Sequence, residues 1–347
     1  MKRILLIRFS ALGDVAMLAP VVREAAGANP DCEFTVLSRP MCAPLFEGLA
    51  ENVHFKGVDV EKDYKGIGGL LRLFNELDNE FFDCVCDMHD VLRTKVLRKL
   101  FRLNLYKVYK INKHRELRKI ITAEGDKKVL RQLPTAFDNY REVLLKAGLA
   151  CPEINFGYSA FSPNYKIGIA PFAAHEGKIY PLEKMEEVLF LLSTLCDSSQ
   201  SEEWMERNQE WGEIYLFSAP GEERKLMRRW AEKYSNVKLA ADVCSGLKEE
   251  LQLMAKLDVM LTMDSANMHL ASLMGTRVVS IWGATHPYAG FLGWGQRMED
   301  CIQRSDLKCR PCSIYGNKPC LRGDMACMDI SPDDVRKHLT SFLREKD

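Results

Sequence analysis

The chain has 347 residues, 47% of them hydrophobic, which is enough apolar material for two domains of ordinary size, each with its own core. Its 48 basic and 48 acidic side chains cancel, so net charge gives no case for a nucleic-acid binder. No apolar run approaches the roughly 20 residues of a membrane span, and Met1–Arg8 has too short an apolar core for a secretory signal, so a cytoplasmic chain is expected. In that compartment the twelve cysteines are expected as thiols or metal ligands rather than a disulfide framework, and those in strand-like runs, such as Cys84 and Cys86, as small core residues.

Ile4–Ile7 is a short apolar run of strand length. Arg-Phe-Ser-Ala-Leu-Gly-Asp-Val (8–15) turns out of it, and a helix is expected over Val15–Ala26. Ser10 to Gly13 is small and flexible, so backbone can approach a ligand there. No Gly-Lys-Ser/Thr makes it a Walker loop, and no Gly-x-Gly-x-x-Gly makes it a dinucleotide fingerprint. Asp14 is either a first-turn acid satisfying the helix dipole or a carboxylate offered on the carboxyl edge of a sheet. Phe34–Leu37 is a second strand, followed by a helical segment from Pro40 to about Leu49. Val53–Phe55 is short and edge-like, Leu70–Leu77 is an amphipathic helix, and Phe82–Asp87 is another central strand that leads into His89 and Asp90. From Arg93 to Lys119 the chain is strongly basic, including Arg98, Lys99, Arg102 and Arg118. Such a run is a solvated face or an attraction for an anionic acceptor or inner-leaflet surface. Nucleic acid is a weaker third option, since no recognition motif accompanies the charge. Pro134–Leu149 is an amphipathic helix, and Cys151–Asn164 reads as a linker.

Strand–helix alternation then restarts. Lys166–Pro171 is a strand, residues 172–181 are its loop with Lys178, and Leu182–Leu195 is its helix. Residues 197–209 are polar and loop-like. Glu213–Ser218 is a strand, Glu222–Lys233 a helix, Val237–Leu239 a strand and Leu247–Lys256 a helix. The stretch that organises the chain comes next: a strand at Asp258–Thr262, a helix whose apolar spacing is clear from His269 to Met274, a stop at Gly275, and a buried strand from Val278. Asp264 and Ser265 stand at that helix entrance, as caps or as ligand groups beside backbone N–H donors that favour phosphate, and His269 lies one turn along. Two successive runs of alternation imply an α/β fold of two doubly wound, Rossmann-like sheets with a cleft between them. Near the end, Cys309-x2-Cys312-x7-Cys320-x6-Cys327 offers a structural zinc site, packed thiols or disulfides. Ser331 caps a last helix that has Pro332 at its first position.

Several of these segments carry a family resemblance. Asp264-Ser-Ala-x-x-His269-Leu-Ala, then Gly275-Thr-x-Val-Val-x-Ile-x-Gly-x-Thr-x-Pro287, resembles the nucleotide-sugar motif of glycosyltransferase family 9, the heptosyltransferase type. Ser10-x-x-Gly-Asp14 and Gly-Lys178-x-Tyr180-Pro resemble two more of that family's motifs. The resemblance covers nearly the whole chain and is strongest at 4–20, 166–182 and 258–287. The chain departs from the usual form in three places: Ser265-Ala266 for Thr-Gly, Tyr180 for Trp, and His89-Asp90 where Gln-Gly is common.

The resemblance implies a GT-B fold. Residues 1–160 would form an acceptor-side domain and 165–330 a nucleotide-sugar domain that includes the cysteine-rich segment 301–327. A helix over 331–347 would pack back toward the first domain. It implies an inverting, metal-independent transfer of a sugar, expected to be heptose, from an ADP-type donor to a lipopolysaccharide-core-like acceptor. Asp14 is the implied base and Lys178 the contact to the donor diphosphate. Glu222, with Glu223 as the alternative, is the implied nucleoside contact, and Asp264, Ser265, Ala266 and His269 complete the donor pocket. A cytoplasmic enzyme that touches the inner membrane peripherally follows from such an acceptor. A nucleotide-sugar epimerase and a catalytically silent nucleotide-binding protein are the rival classes.

Overall fold

The computed structural model describes residues 1–153, 166–195 and 212–344. They form two compact units. The first holds Met1–His114 and the chain from Pro134 to residue 153, and the second holds Arg115–Leu133 and the described residues from 166 onward.

In the first unit five parallel strands, β1 (Lys2–Ile7), β2 (Cys32–Ser38), β3 (Val53–Gly57), β4 (Cys84–Asp87) and β5 (Lys107–Lys110), lie in the order β3-β2-β1-β4-β5. The last four residues of β1 are fully buried, as a strand with both faces covered by helices must be. The helices Leu12–Ala28, Gly66–Asp78, Leu92–Leu103 and Ala136–Lys146 alternate with these strands. The chain runs from β1 outward to β3 and then returns to β4 on the other side of β1. The sheet's switch point therefore falls between β1 and β4, where Ile7 pairs with Asp87.

The second unit repeats the plan with β6 (Ile167–Ala170), β7 (Ile214–Leu216), β8 (Val237–Leu239), β9 (Val259–Met263), β10 (Arg277–Trp282) and β11 (Cys301–Gln303), in the order β11-β10-β9-β6-β7-β8. Its switch point lies between β6 and β9.

Two strands escape a reading of pattern alone. β5 is Lys-Val-Tyr-Lys inside the basic run, and β11 is three residues long; both are edge strands, where hydrophobic alternation is weakest. The segment after Pro40 is a 3-10 turn over Pro40–Leu45 rather than a longer helix. The expected linker lies mostly, and the polar loop at 197–209 wholly, outside the described residues.

The division of the chain also differs from a single boundary near residue 160. Arg115–Leu133 leaves the first unit and packs into the second, because its apolar side chains find partners there. Ile121 and Leu133 join Ala289 and Ile314 in a small core, with Leu117 and Phe291 against it. The Leu133 N–H donates to the Tyr288 carbonyl at 2.9 Å. The Arg118 guanidinium lies over Phe291 (5.2 Å to the centroid) and bonds the Tyr315 hydroxyl at 2.7 Å. The last helix, Pro332–Arg344, places Val335 and Leu339 in the second unit's main core, against the Leu182–Leu195 helix.

Candidate functional site

The carboxyl edge of the first sheet carries Asp14. It sits in the first turn of the Leu12–Ala28 helix, where its Oδ2 accepts the Ala11 N–H at 3.2 Å and pairs with Arg8 Nη2 at 2.7 Å. Arg8, the first residue after β1, is held from three directions. It donates to the Met88 carbonyl, its guanidinium lies 5.4 Å from the Tyr140 ring centroid, and its Nη2 meets the carboxylate. The Tyr140 hydroxyl in turn donates to the Asp14 carbonyl at 3.1 Å. The arginine side chain is 7% exposed and the carboxylate side chain 29%, so the anion is the accessible partner.

Across the switch point, β4 ends on Asp87, whose buried carboxylate organises the next turn. Its Oδ1 accepts the N–H groups of His89 (2.8 Å) and Asp90 (2.9 Å), an Asx turn that holds Asp90 at φ 49°. Its Oδ2 pairs with Arg98 Nη1 at 2.9 Å, and the same guanidinium reaches Asp90 Oδ1 at 2.9 Å. Arg98 therefore belongs to neither reading of the basic run: it is buried and locks the loop beside the site. The His89 Nε2 lies 3.4 Å from the Ser10 hydroxyl. Burial, then the charges of Arg8 and Lys113, push its pKa down to about 3, so the imidazole is neutral. Burial raises the Asp90 carboxyl, but the Arg98 hydrogen bond and charge outweigh it and the pKa falls below the usual range.

The second unit gathers its own cluster at its switch point. Lys178 ends the Glu176–Lys178 turn after β6, and Asp264 follows the neighbouring β9. Their side chains pair at 2.8 Å, with the ammonium 15% exposed and the carboxylate 4%. Asp264 is thus no helix cap; it holds the lysine. Ser265 stands at the N-cap position of the eight-residue helix Ala266–Leu273, yet its hydroxyl makes no cap bond and lies 3.2 Å from Thr262 Oγ1. That leaves the N–H groups from Ala266 onward as donors beside Lys178. His269 is buried one turn along.

The expected nucleoside acids stand on the next loop of the same edge. β7 neighbours β6, so the loop after it stands on the same edge of the sheet. Glu222 there is 88% exposed in its side chain and pairs with Lys225, while Glu223 accepts the Ala219 N–H at 2.9 Å as a local cap. Among the described residues neither carboxylate pairs with Lys178, whose partner is Asp264.

Residues that pattern reading passes over build the back wall. Gly316, at φ 73°, lies against the lysine stem; a Cβ there would come 2.6 Å from Lys178 Cγ. The Gly177 carbonyl accepts the Ala284 N–H at 2.8 Å. Arg310 is buried and bonds five neutral oxygens: the carbonyls of Gly283 (2.6 Å), Trp282 (2.8 Å), Thr285 (3.0 Å) and Arg304 (2.9 Å), and Gln303 Oε1 (3.1 Å). It staples the loop after β10 to the cysteine-rich segment. Of these residues Gly177 and Gly283 lie in motifs legible in the sequence, whereas Gly316 and Arg310 carried no signal there.

Of the alternatives open for the cysteine segment, the structure gives no support to a zinc site. Among the described residues no three His, Cys, Asp or Glu side chains are disposed to hold a metal ion. Cys327 is packed in the second unit's main core, and the Cys312 thiol faces the Cys309 carbonyl at 3.4 Å. All the described cysteines are free thiols.

Two parallel sheets of this kind, each with polar side chains at its switch point, are two Rossmann-like domains of the GT-B type. Solved structures of similar fold include the E. coli heptosyltransferase WaaC with ADP (16% identity over 99% of this chain and 98% of that one, TM-score 0.65). The glycosyl transferase family 9 protein of Veillonella parvula (17%, 99% and 98%, TM-score 0.70) and the E. coli ADP-heptose lipopolysaccharide heptosyltransferase II (17%, 100% and 100%, TM-score 0.67) are others. No curated protein sequence matches the chain. The model of glycosyltransferase family 9 (heptosyltransferase) matches residues 70–318, and the chain belongs to that family.

Proposed function

We propose that this glycosyltransferase moves a heptose from an ADP-linked donor to a lipopolysaccharide-core-like acceptor with inversion at the anomeric carbon. The observation that carries the reading is the placement of an accessible carboxylate and an accessible ammonium at the switch points of their respective sheets. Asp14 accepts the proton of the acceptor hydroxyl as that oxygen bonds to the anomeric carbon. An alcohol is too weak an acid to ionise first, so proton transfer accompanies attack. The bond from the anomeric carbon to the diphosphate breaks on the opposite face, and a single displacement inverts the centre. Lys178, the Ser265 hydroxyl and the N–H groups from Ala266 take up the charge on the departing diphosphate, so no step in the reading calls on a metal ion. His269 and the Glu222–Glu223 turn border the nucleoside end in this reading. The donor and acceptor classes rest on family membership and on the ADP and ADP-heptose in the names of similar proteins.

The basic residues of the first unit that remain at the surface, among them Lys99 and Arg102, would draw an anionic acceptor and the membrane face that bears it. No helix among the described residues is long and apolar enough to cross a membrane. The test is ADP release from ADP-heptose that depends on a truncated core acceptor, with the product's anomeric configuration read by NMR. Release without acceptor transfer would overturn the reading. Solvent deuterium appearing in the donor ring would instead mark an epimerase.

A further inference from the structure

A cavity of about 390 Å³, whose lining does not include Lys178 or Asp264, lies in the second unit where the Arg115–Leu133 segment meets the cysteine-rich loops. That is the volume of a small-ligand pocket. Its wall carries three ammonium groups, Lys128, Lys308 and Lys318, against one carboxylate, the exposed Glu124, in a chain whose net charge is zero. Leu321 and Pro319 supply an apolar side, and Cys309 and Cys312 also line it.

Lys128 is the informative residue. It is half-buried, and its Nζ donates to the carbonyls of Cys309 (2.6 Å) and Pro311 (3.0 Å). An ammonium has three donors, so one remains for the cavity. Among the described residues no carboxylate lies within ion-pair distance of it. Burial lowers its pKa, and the opposing Glu124 charge does not make up for it. Charges withdrawn from water are ordinarily paired, and the same wall carries two more cations, Lys308 and Lys318.

We infer that this cavity is an accessory anion site that takes a small phosphoryl-bearing molecule, with Lys128 as its inner contact and Lys308 and Lys318 at its rim. The inference does not rest on the proposed sugar transfer. Cys309 provides the readout, because it lines the cavity and an anion held there should shield its thiol from a neutral alkylating reagent. Full-length protein is treated with iodoacetamide, with and without inorganic pyrophosphate at matched ionic strength, and Cys309 labelling is followed by peptide mass spectrometry. At ten times its dissociation constant, pyrophosphate should slow labelling by about tenfold. The same protection is expected in Lys178→Ala, which removes the other anion contact. It should be lost in Lys308→Gln/Lys318→Gln, whose two positions are exposed and leave the Lys128 anchor intact. Four results would each overturn the site: no protection in the wild type, protection that survives the double variant, protection that disappears in Lys178→Ala, or a Cys309 thiol that does not react at all.

Discussion

The two switch points hold the same device with its polarity reversed. In the first unit Arg8 is the sheltered partner and Asp14 the exposed one, at 7% and 29%. In the second, Asp264 is sheltered and Lys178 the less buried partner, at 4% and 15%. Each pair holds its less buried member against a sheltered counter-charge, and in the proposed reaction the sign of that member determines what the edge can bind. A presented carboxylate accepts a proton, and a presented ammonium receives an anion. The difference teaches that the buried member of each pair is a positioning group, so substitutions at exposed and buried members should separate chemistry from stability.

The largest effect is expected at the exposed anion. Asp14→Asn keeps the shape and removes the proposed proton acceptor, so turnover should fall by about 10²–10⁴ with donor affinity nearly unchanged, while the buried Arg8, left without its carboxylate, should lower thermal stability as well. Near-normal turnover would detach Asp14 from the chemistry. A buried positioning cation should behave in the opposite way. Arg98→Leu leaves the Asp87 carboxylate buried and without that cation, and should cost about 3–5 kcal/mol in chemical denaturation. An unchanged midpoint would return Arg98 to the solvated face that its sequence neighbours suggest.

Arg98 also marks where the sequence stops being legible. Nine of the eleven strands stand out as apolar runs, and both carboxyl edges can be placed from them, because parallel strands covered on two faces are almost uniformly hydrophobic. Asp14, Lys178, Asp264 and Ser265 were legible as motif residues at those edges. What the motif could not supply was the pairing: nothing local distinguishes Arg98 from Lys99, or indicates that Arg310 meets five oxygens contributed by other loops. The Arg115–Leu133 excursion was hidden for the same reason. Its charge suggests surface, while its few apolar side chains find partners more than 150 residues downstream.

Lys178 and Asp264 offer a finer separation. Lys178→Ala should weaken ADP binding by about 1.5–3 kcal/mol, the range of a charged hydrogen bond, and leave adenosine binding nearly unchanged. Asp264→Asn keeps the ammonium but loosens its anchor, so calorimetry should show a smaller loss for ADP. Equal losses in the two variants would mean that the pair acts as a unit and that the division into presenting and positioning members fails in the second unit.

The smallest expected effect concerns the neutral imidazole beside the first pair. Burial, then the Arg8 and Lys113 charges, set the pKa of folded His89 at about 3, against roughly 6.5 in the unfolded chain. Between these values the unfolded state binds the proton and the native state does not. Stability linked to His89 is therefore present above pH 6.5 and is lost as pH falls toward 3. From pH 7 to pH 5 the loss amounts to about 2 kcal/mol. His286 in the second unit, held at about 4 by burial with the Arg310 and Lys128 charges, adds a loss of the same sign. A His89→Gln variant should therefore lose about 2 kcal/mol less than wild type between pH 7 and pH 5 in urea denaturation, while His286 keeps its share. If the two pH profiles run parallel, His89 is not the sheltered neutral base described here, and the first switch point has a proton to exchange besides that of Asp14.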